Sequence, residues 1–399
     1  MNDEQSKLLL LGIGGGGCRL AAAVRVLYGD DMRVLCMDTD ALANREVQQA
    51  APDIPCVLFG GRRLAGNGAG GDYAKGMEAF KDDAALLENH LTGVRTVIML
   101  ACLGAGTGSG AAIEAARMLK QKGIATFCVA TLPFSFEGSA RQEVATRTKS
   151  QIEENVESLA EIPLDDLFDE VEQGTVMAAN EAVNDMLASA LALLWRLLDH
   201  SGLLCIDPER LYGLVMRGGN VRFCSEAASG KDRVGRLLGA LHRNRLLKGT
   251  EALGKANAVL VGILGGTDLC LAEIREVMDA LQKWCQAGSR GCRVEMGTVL
   301  SPAFDGRIEI IVFTFENWKL TAAGAKATSG LAEPPAIDTF ESLTSPSKWT
   351  KKKPNSKLTF GQTGRGKFQN VEPTLSDDQK EDLDIPTFLR RNLPVERSF

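Results

Sequence analysis

Residues 103–112 read LGAGTGSGAA. Gly104, Gly106, Gly108 and Gly110 alternate there with small residues, a composition that lets a backbone turn sharply and approach a ligand closely. The run VRTVIML (94–100) precedes it, a near-continuous apolar stretch as a strand covered on both faces should be. The segment AAIEAARMLKQKG (111–123) follows, helical in composition and closed by Gly123 as a C-cap. Strand, glycine turn and helix together form the arrangement in which backbone N–H groups and a helix N-terminus meet phosphate. Ala111, not a lysine, follows Gly110, so this is no Walker A loop. Phosphate charge then falls to the backbone, to the Thr107 and Ser109 hydroxyls, and to a Mg²⁺ carried on the phosphates.

The same pattern occurs once more, upstream. LGIGGGGCRL (11–20) follows the run KLLLLGI and opens onto AAAVRVL. Gly12, Gly14 and Gly17 satisfy G-x-G-x-x-G, and Asp38 lies about twenty residues on, where a dinucleotide fold places its ribose acid. Taken alone, this turn fits a nicotinamide dehydrogenase. Such a fold needs one phosphate loop, and this chain has two. Two glycine turns that serve packing alone are the bland alternative. Outward from the turns, MRVLCMD (32–38) and ATFCVATL (125–132) read as further strands alternating with helices, which predicts a doubly wound, mostly parallel α/β sheet with ligands at the carboxyl ends of its strands.

At 399 residues the chain is long enough for two domains and a tail, and 45% apolar content supports a real core. A net charge of −6 argues against binding nucleic acid as the main activity. The ten cysteines include no C-x-x-C pair and the three histidines have no metal-ligand spacing, so buried free thiols and no protein-held metal are expected. MNDEQSK is too polar for a signal peptide and no run reaches transmembrane length. The expectation is a soluble cytoplasmic protein without membrane insertion.

A long helix is predicted over 176–200. Val183, Met186, Leu187, Ala190, Leu191, Leu194, Leu197 and Leu198 form one apolar stripe, with Asn180 and Asn184 on another face. AVLVGIL, CRVEMGTVL and RIEIIVFTF then read as strands, the last two as sheet neighbours. The expected layout is a nucleotide domain over 1–175, the central helix over 176–202 and a smaller α+β domain over 203–318. A disordered Ser/Thr/Pro/Lys/Gly-rich linker over 319–378 and a tail over 379–399 complete it. KWTKKK (348–353) reads as a solvated linker patch. In the tail, DLDIPTFLRRN (382–392) gathers apolar residues between acids and arginines, as a short motif that folds on a partner does.

These segments together resemble the FtsZ branch of the tubulin/FtsZ superfamily, as a divergent member. GAGTGSG is similar to the family signature, usually GGGTGTG in bacterial FtsZ; GIGGGG resembles its first nucleotide loop, MDTDA its N-T-D-A loop and GNGAGGD (66–72) its third loop. The resemblance implies GTP or GDP held by Gly14, Gly15, Gly16, Gly17, Cys18, Arg19, Asp40, Gly104, Ala105, Gly106, Thr107, Gly108 and Ser109. In TLPFSFEGSAR (131–141) it implies Glu137 on the ribose and Arg141 on the phosphates, and it assigns Asn184 and Asp185 to the guanine. Cys18 and Arg19 stand where the family has asparagines. The tail is close to the FtsZ peptide that binds membrane tethers of the FtsA/ZipA type, which implies contact residues Asp384, Ile385, Pro386, Phe388, Leu389 and Arg390. Head-to-tail filaments at the division site, under the membrane, follow from the same resemblance.

In that family an acidic loop, N-x-D-F-A-D, from the next subunit completes GTP hydrolysis. The register from Asn184 places CIDPER (205–210) there. Asp207 keeps the first acidic position, while Cys205 replaces the asparagine and Arg210 the second aspartate. A guanidinium has no acceptor for a water and carries the opposite charge. Three residues are candidates for the chemistry: Asp207; Glu209 in a shifted loop, though Pro208 restricts the backbone; and Arg210 as a cation on the γ-phosphate. Slow hydrolysis with GTP binding retained is the expectation. A division-ring GTPase and a non-hydrolysing scaffold that caps or co-assembles with another filament both fit the sequence.

Overall fold

The computed structural model describes residues 7–29, 32–167, 176–199, 219–286 and 292–316, with the side chains of 181–197 inside the long helix. Residues Met1–Ala332 form one compact unit, to which every described residue belongs. The chain begins β1 (Leu8–Ile13), α1 (Gly14–Tyr28), β2 (Val34–Asp38), α2 (Ala41–Ala50), β3 (Cys56–Leu58), α3 (Gly61–Leu64), α4 (Tyr73–Asp82) and α5 (Ala85–Glu88). It continues β4 (Thr96–Cys102), α6 (Gly106–Gln121), β5 (Ala125–Leu132), α7 (Ser139–Glu153), β6 (Ser158–Pro163) and α8 (Val176–Asp199). The remaining elements are β7 (Gly219–Ser229), α9 (Arg233–Arg243), α10 (Glu251–Lys255), β8 (Ala258–Gly265), α11 (Leu271–Gln286), β9 (Arg293–Leu300) and β10 (Arg307–Glu316).

One sheet runs through them in the order β3-β2-β1-β4-β5-β6-β7-β10-β8-β9. β1 to β6 are parallel, and β1 sits between β2 and β4, where the strand order reverses. Parallel neighbours need crossovers, and the helices that supply them cover both faces. Strand alternation shows why. Leu9, Leu11 and Ile13 point into one core with Met99, Phe80 and Ala115. Leu10, Ile98 and Leu100 point into the other with Leu20, Val24 and Leu191. Gly123 adopts φ 68 just past α6, the left-handed cap its position predicts.

Two expectations are corrected. β9 and β10 are not sheet neighbours: β9 pairs in parallel with β8, and β10 lies antiparallel between β7 and β8. The reason is burial. Ile308 and Ile310 to Phe315 are buried, as in an interior strand paired on both edges, whereas Arg293 and Leu300 leave the ends of β9 exposed at the sheet edge. Nor is α8 apolar along a single stripe. From Ala190 to Leu197 every residue is buried except half-buried Arg196, because α1 covers one side and the Leu197 side chain reaches Gly262 of β8 on another. The linker, KWTKKK, the CIDPER loop and the tail peptide lie outside the described residues.

Candidate functional site

Parallel pairing delivers the carboxyl ends of β1, β2, β4 and β5 to one edge of the sheet. At the reversal between β1 and β4, two helices start directly after glycine turns. Ile13 precedes α1 and Ala105 precedes α6, both extended and neither supplying a side-chain cap. Their neighbours are capped: Asp40 accepts from Leu42 N at 2.8 Å, and Asp72 from Ala74 N at 2.9 Å. The first N–H groups of α1 and α6 are therefore left for an anion.

The two turns face one another. Gly14 has φ 71, and a Cβ there would stand 2.7 Å from Gly108 N. Gly108 and Gly110 serve packing instead, since a Cβ on either would run into Cys102 O or Tyr73 O. Ser109 is fully buried and its Oγ accepts from Gly104 N at 2.9 Å, which ties the turn shut. Thr107 Oγ1 lies 2.6 Å from Thr39 Oγ1, joining the second turn to the end of β2. Thr39 is a residue that sequence reasoning missed, because no spacing rule links positions 39 and 107.

Asp38 is 2% exposed, and Thr39 N donates to its Oδ1 at 2.7 Å. Burial pushes its carboxyl up to about 6, against the pull of those backbone N–H groups and of Arg19. Asp40 caps α2 and bridges Asn67 of the GNGAGGD loop, which folds back over it. After β5, Glu137 Oε1 accepts from Phe134 N at 2.9 Å, and Arg141 pairs with Glu137. The Arg141 carbonyl comes within 3.1 Å of a Cβ built on Gly104, so this pair stands beside the second turn.

A cavity of about 330 Å³ opens between α1, α2 and α8. Ala22, Ala23, Val26, Leu27, Val47 and Ala50 make its apolar wall, and Arg19, Glu46 and Asp185 its polar part. Arg19 Nη1 is 3.9 Å from Glu46 Oε2. Asp185 is exposed and Asn184 half-buried one position before it. Arg19 and Asp185 thus line one cavity with Glu46, which carried no sequence signal. Among the described residues no three His, Cys, Asp or Glu side chains come together as a metal site, and no helix is long and apolar enough to cross a membrane. Asp207, Glu209, Arg210 and the tail residues lie outside the described residues.

Residues 7–172 match the family model described as the Tubulin/FtsZ family, GTPase domain. Residues 7–172 are a GTPase domain of the tubulin/FtsZ family. Across nearly its whole length the chain is similar to curated relatives named cell division protein FtsZ. The one from Coxiella burnetii is 28% identical over 98% of this chain and 97% of that one. The one from Pseudomonas aeruginosa is 27% identical over 97% of each. Among solved structures, an empty FtsZ dimer from M. jannaschii superposes with a TM-score of 0.70 at 22% identity, over 77% of this chain and 88% of that one. A GTPγS-bound protofilament of CetZ2 from Haloferax volcanii gives 0.65 at 20% identity, over 80% and 97%. The glycine-turn edge is accordingly the edge of that GTPase domain.

Proposed function

We propose that the chain is a GTP-hydrolysing cytoskeletal protein that polymerises head to tail into the bacterial division ring. The observation that carries this reading is the meeting of two uncapped glycine-turn helices at the point where the strand order reverses. Family membership and the FtsZ names of its relatives support the filament role.

GTP or GDP lies across the turns. Backbone N–H groups of Gly14 to Gly17 and Cys18 on one side, and of Ala105 to Ser109 with Gly104 behind them on the other, take the phosphates. The Thr107 hydroxyl stands at the second turn against Thr39 at the end of β2, where Mg²⁺ carried on the phosphates also fits a site without a protein-built cage. Glu137 and Arg141 exchange their mutual contact for ribose and phosphate. Asp185, with Asn184 beside it, accepts from the base, and Asp40 holds the pocket wall.

Hydrolysis is completed by Asp207 of the next subunit, with Glu209 or Arg210 in place of the missing aspartate. Placing the acid in trans couples chemistry to assembly, because the water is positioned only at a subunit contact. The tail residues Asp384, Ile385, Pro386, Phe388, Leu389 and Arg390 fit a membrane tether of the FtsA/ZipA type, which brings the filament under the membrane at the division site. Arg210 favours one other reading, a GTP-binding scaffold that does not hydrolyse.

Phosphate release from GTP with Mg²⁺, measured as protein concentration rises, tests the reading. Turnover appearing above a threshold concentration is expected for a site completed by a second subunit. GTP bound with no release at any concentration selects the scaffold.

A further inference from the structure

Cys36 stands in the middle of β2, and its Cα partner on the neighbouring strand β3 is Cys56. The two strands run parallel, so residues paired across them send their side chains to the same face. Both cysteines pack on the face that carries Cys18, Leu20 and Val24 of α1. Neighbouring strands lie about 4.8 Å apart, inside the Cα separation of roughly 4.4–6.8 Å that a disulfide spans. Both thiols are unbridged in the structure. Joining them asks only for a small approach of β3, a strand of three residues at the end of the sheet.

The pair is chemically unequal. Cys36 is fully buried, whereas Cys56 is partly exposed. Hydrogen bonding with the Cys18 and Cys56 side chains, and then burial, push the Cys36 thiol well above the ordinary range and keep its proton on. The hydrogen bond from Cys36 pulls the Cys56 thiol down from its ordinary value, against the opposing effect of burial. Thiol–disulfide exchange needs this division: an accessible sulfur that ionises early to attack, and a protected one beside it to resolve.

Cys18 is the rival partner, since its carbonyl accepts from Cys36 Sγ at 3.6 Å. Its own sulfur is fully buried and donates to Gly12 O at 3.4 Å and to Met37 O at 3.5 Å. A buried thiol committed to backbone carbonyls offers a reagent no approach. Cys56 is the sulfur of the three that solvent reaches.

We propose that Cys36 and Cys56 form a redox-active dithiol whose substrate is a small-molecule disulfide of the glutathione class. The Cys56 thiolate attacks one sulfur of that disulfide, forms a mixed disulfide and releases a thiolate, which takes up the proton Cys56 gave up. The Cys36 sulfur then attacks the Cys56 sulfur. Its proton passes to the second departing thiolate as the Cys36–Cys56 bond closes. The protein loses two hydrogens and two electrons, and the small disulfide is reduced to two thiols.

Peptide mapping by mass spectrometry tests this on the full chain, after incubation with oxidised glutathione under native conditions, acid quenching and alkylation. A Cys36 peptide linked to a Cys56 peptide is expected, lighter by two hydrogens than the reduced pair. Exposed Cys270 should carry a glutathione adduct in the same sample, which shows that the oxidant is active. Cys36→Ala removes the resolving sulfur, so Cys56 should then retain the adduct that the native chain passes on. Cys56→Ala should leave Cys36 an unmodified thiol. The native-chain result stands whether or not either variant folds. Four results would each overturn the proposal: Cys56 unreacted while Cys270 is modified, a lasting adduct on Cys56 in the native chain, a Cys18–Cys36 link in its place, or a Cys36–Cys56 link that forms only in urea.

Discussion

Gly14 and Gly15 are adjacent, yet the structure gives them opposite tolerance. Gly14 combines φ 71 with a Cβ position 2.7 Å from Gly108 N, whereas Gly15 has ordinary φ and nearest neighbours at 3.4 and 3.5 Å. Gly14→Ala is expected to cost about 2 kcal/mol or more of stability and to abolish nucleotide binding. Gly15→Ala should stay within about 1 kcal/mol of the native chain, since alanine is the better helix former. Urea unfolding of both variants checks the contrast, and equal losses would refute it. Asp38 supplies a pH dependence. With its carboxyl raised from 3.8 to about 6, the folded chain keeps a proton that the unfolded chain has released. Stability from this group therefore falls as pH climbs from about 4 to beyond 6. Asp38→Asn should match the native chain near pH 4 and exceed it above pH 7 by about 2–3 kcal/mol, read from nucleotide-free unfolding at the two pH values. The glycine turns were legible because phosphate-binding backbone needs residues without Cβ at fixed offsets. Thr39 reaches Thr107, and Glu46 reaches Arg19, only through strand order and helix packing, so no local pattern pointed to how they meet.

At the scale of elements, Arg233 at the start of α9 is the firmest staple among the described side chains. It is 6% exposed, donates to Glu273 Oε1 at 2.6 Å and Oε2 at 2.7 Å, and donates to Asp268 Oδ2 at 2.6 Å. It thereby locks α9 to α11 and to the turn after β8. Removing only the cation strands Glu273, which is mostly buried, so Arg233→Met is expected to cost about 3–5 kcal/mol. Arg233→Met with Glu273→Met should recover much of that loss in denaturant unfolding; strict additivity would show that the two do not act as a pair. The guanidinium holds the Glu273 carboxyl down at about 2. Its contribution is complete above the ordinary carboxylate value near 4.5 and is lost as pH falls toward 2. Elements differ in how far their sequence announces them. β1, β2, β4 and β5 are buried on both faces and read as apolar runs. β3 has three residues, and β7 mixes Asn220, Arg222, Ser225 and Glu226 into its length, so neither carries that signal. The order of β8, β9 and β10 was misread for another reason: alternation identifies a strand and says nothing about which strand lies beside it.

For the whole molecule, both cores are assembled from residues between Leu8 and Phe315, and residues Met1–Ala332 are compact on their own. Burial of apolar side chains on both faces of one sheet is the dominant stabilising term, and all of it among the described residues falls within that unit. A chain ending at Ala332 is therefore expected to unfold at the same temperature as the full chain by scanning calorimetry, and to bind GDP with equal affinity. The peptide proposed to hold a tether, Asp384 to Arg390, is absent from the shortened chain, so capture of an FtsA-type tether should be lost while concentration-dependent phosphate release continues. A lower unfolding temperature would mean that residues 333–399 contribute to the core. Lost phosphate release with unchanged GDP affinity and stability would mean that those residues act in assembly, and the division between a GTPase body and a tethering tail would have to be redrawn.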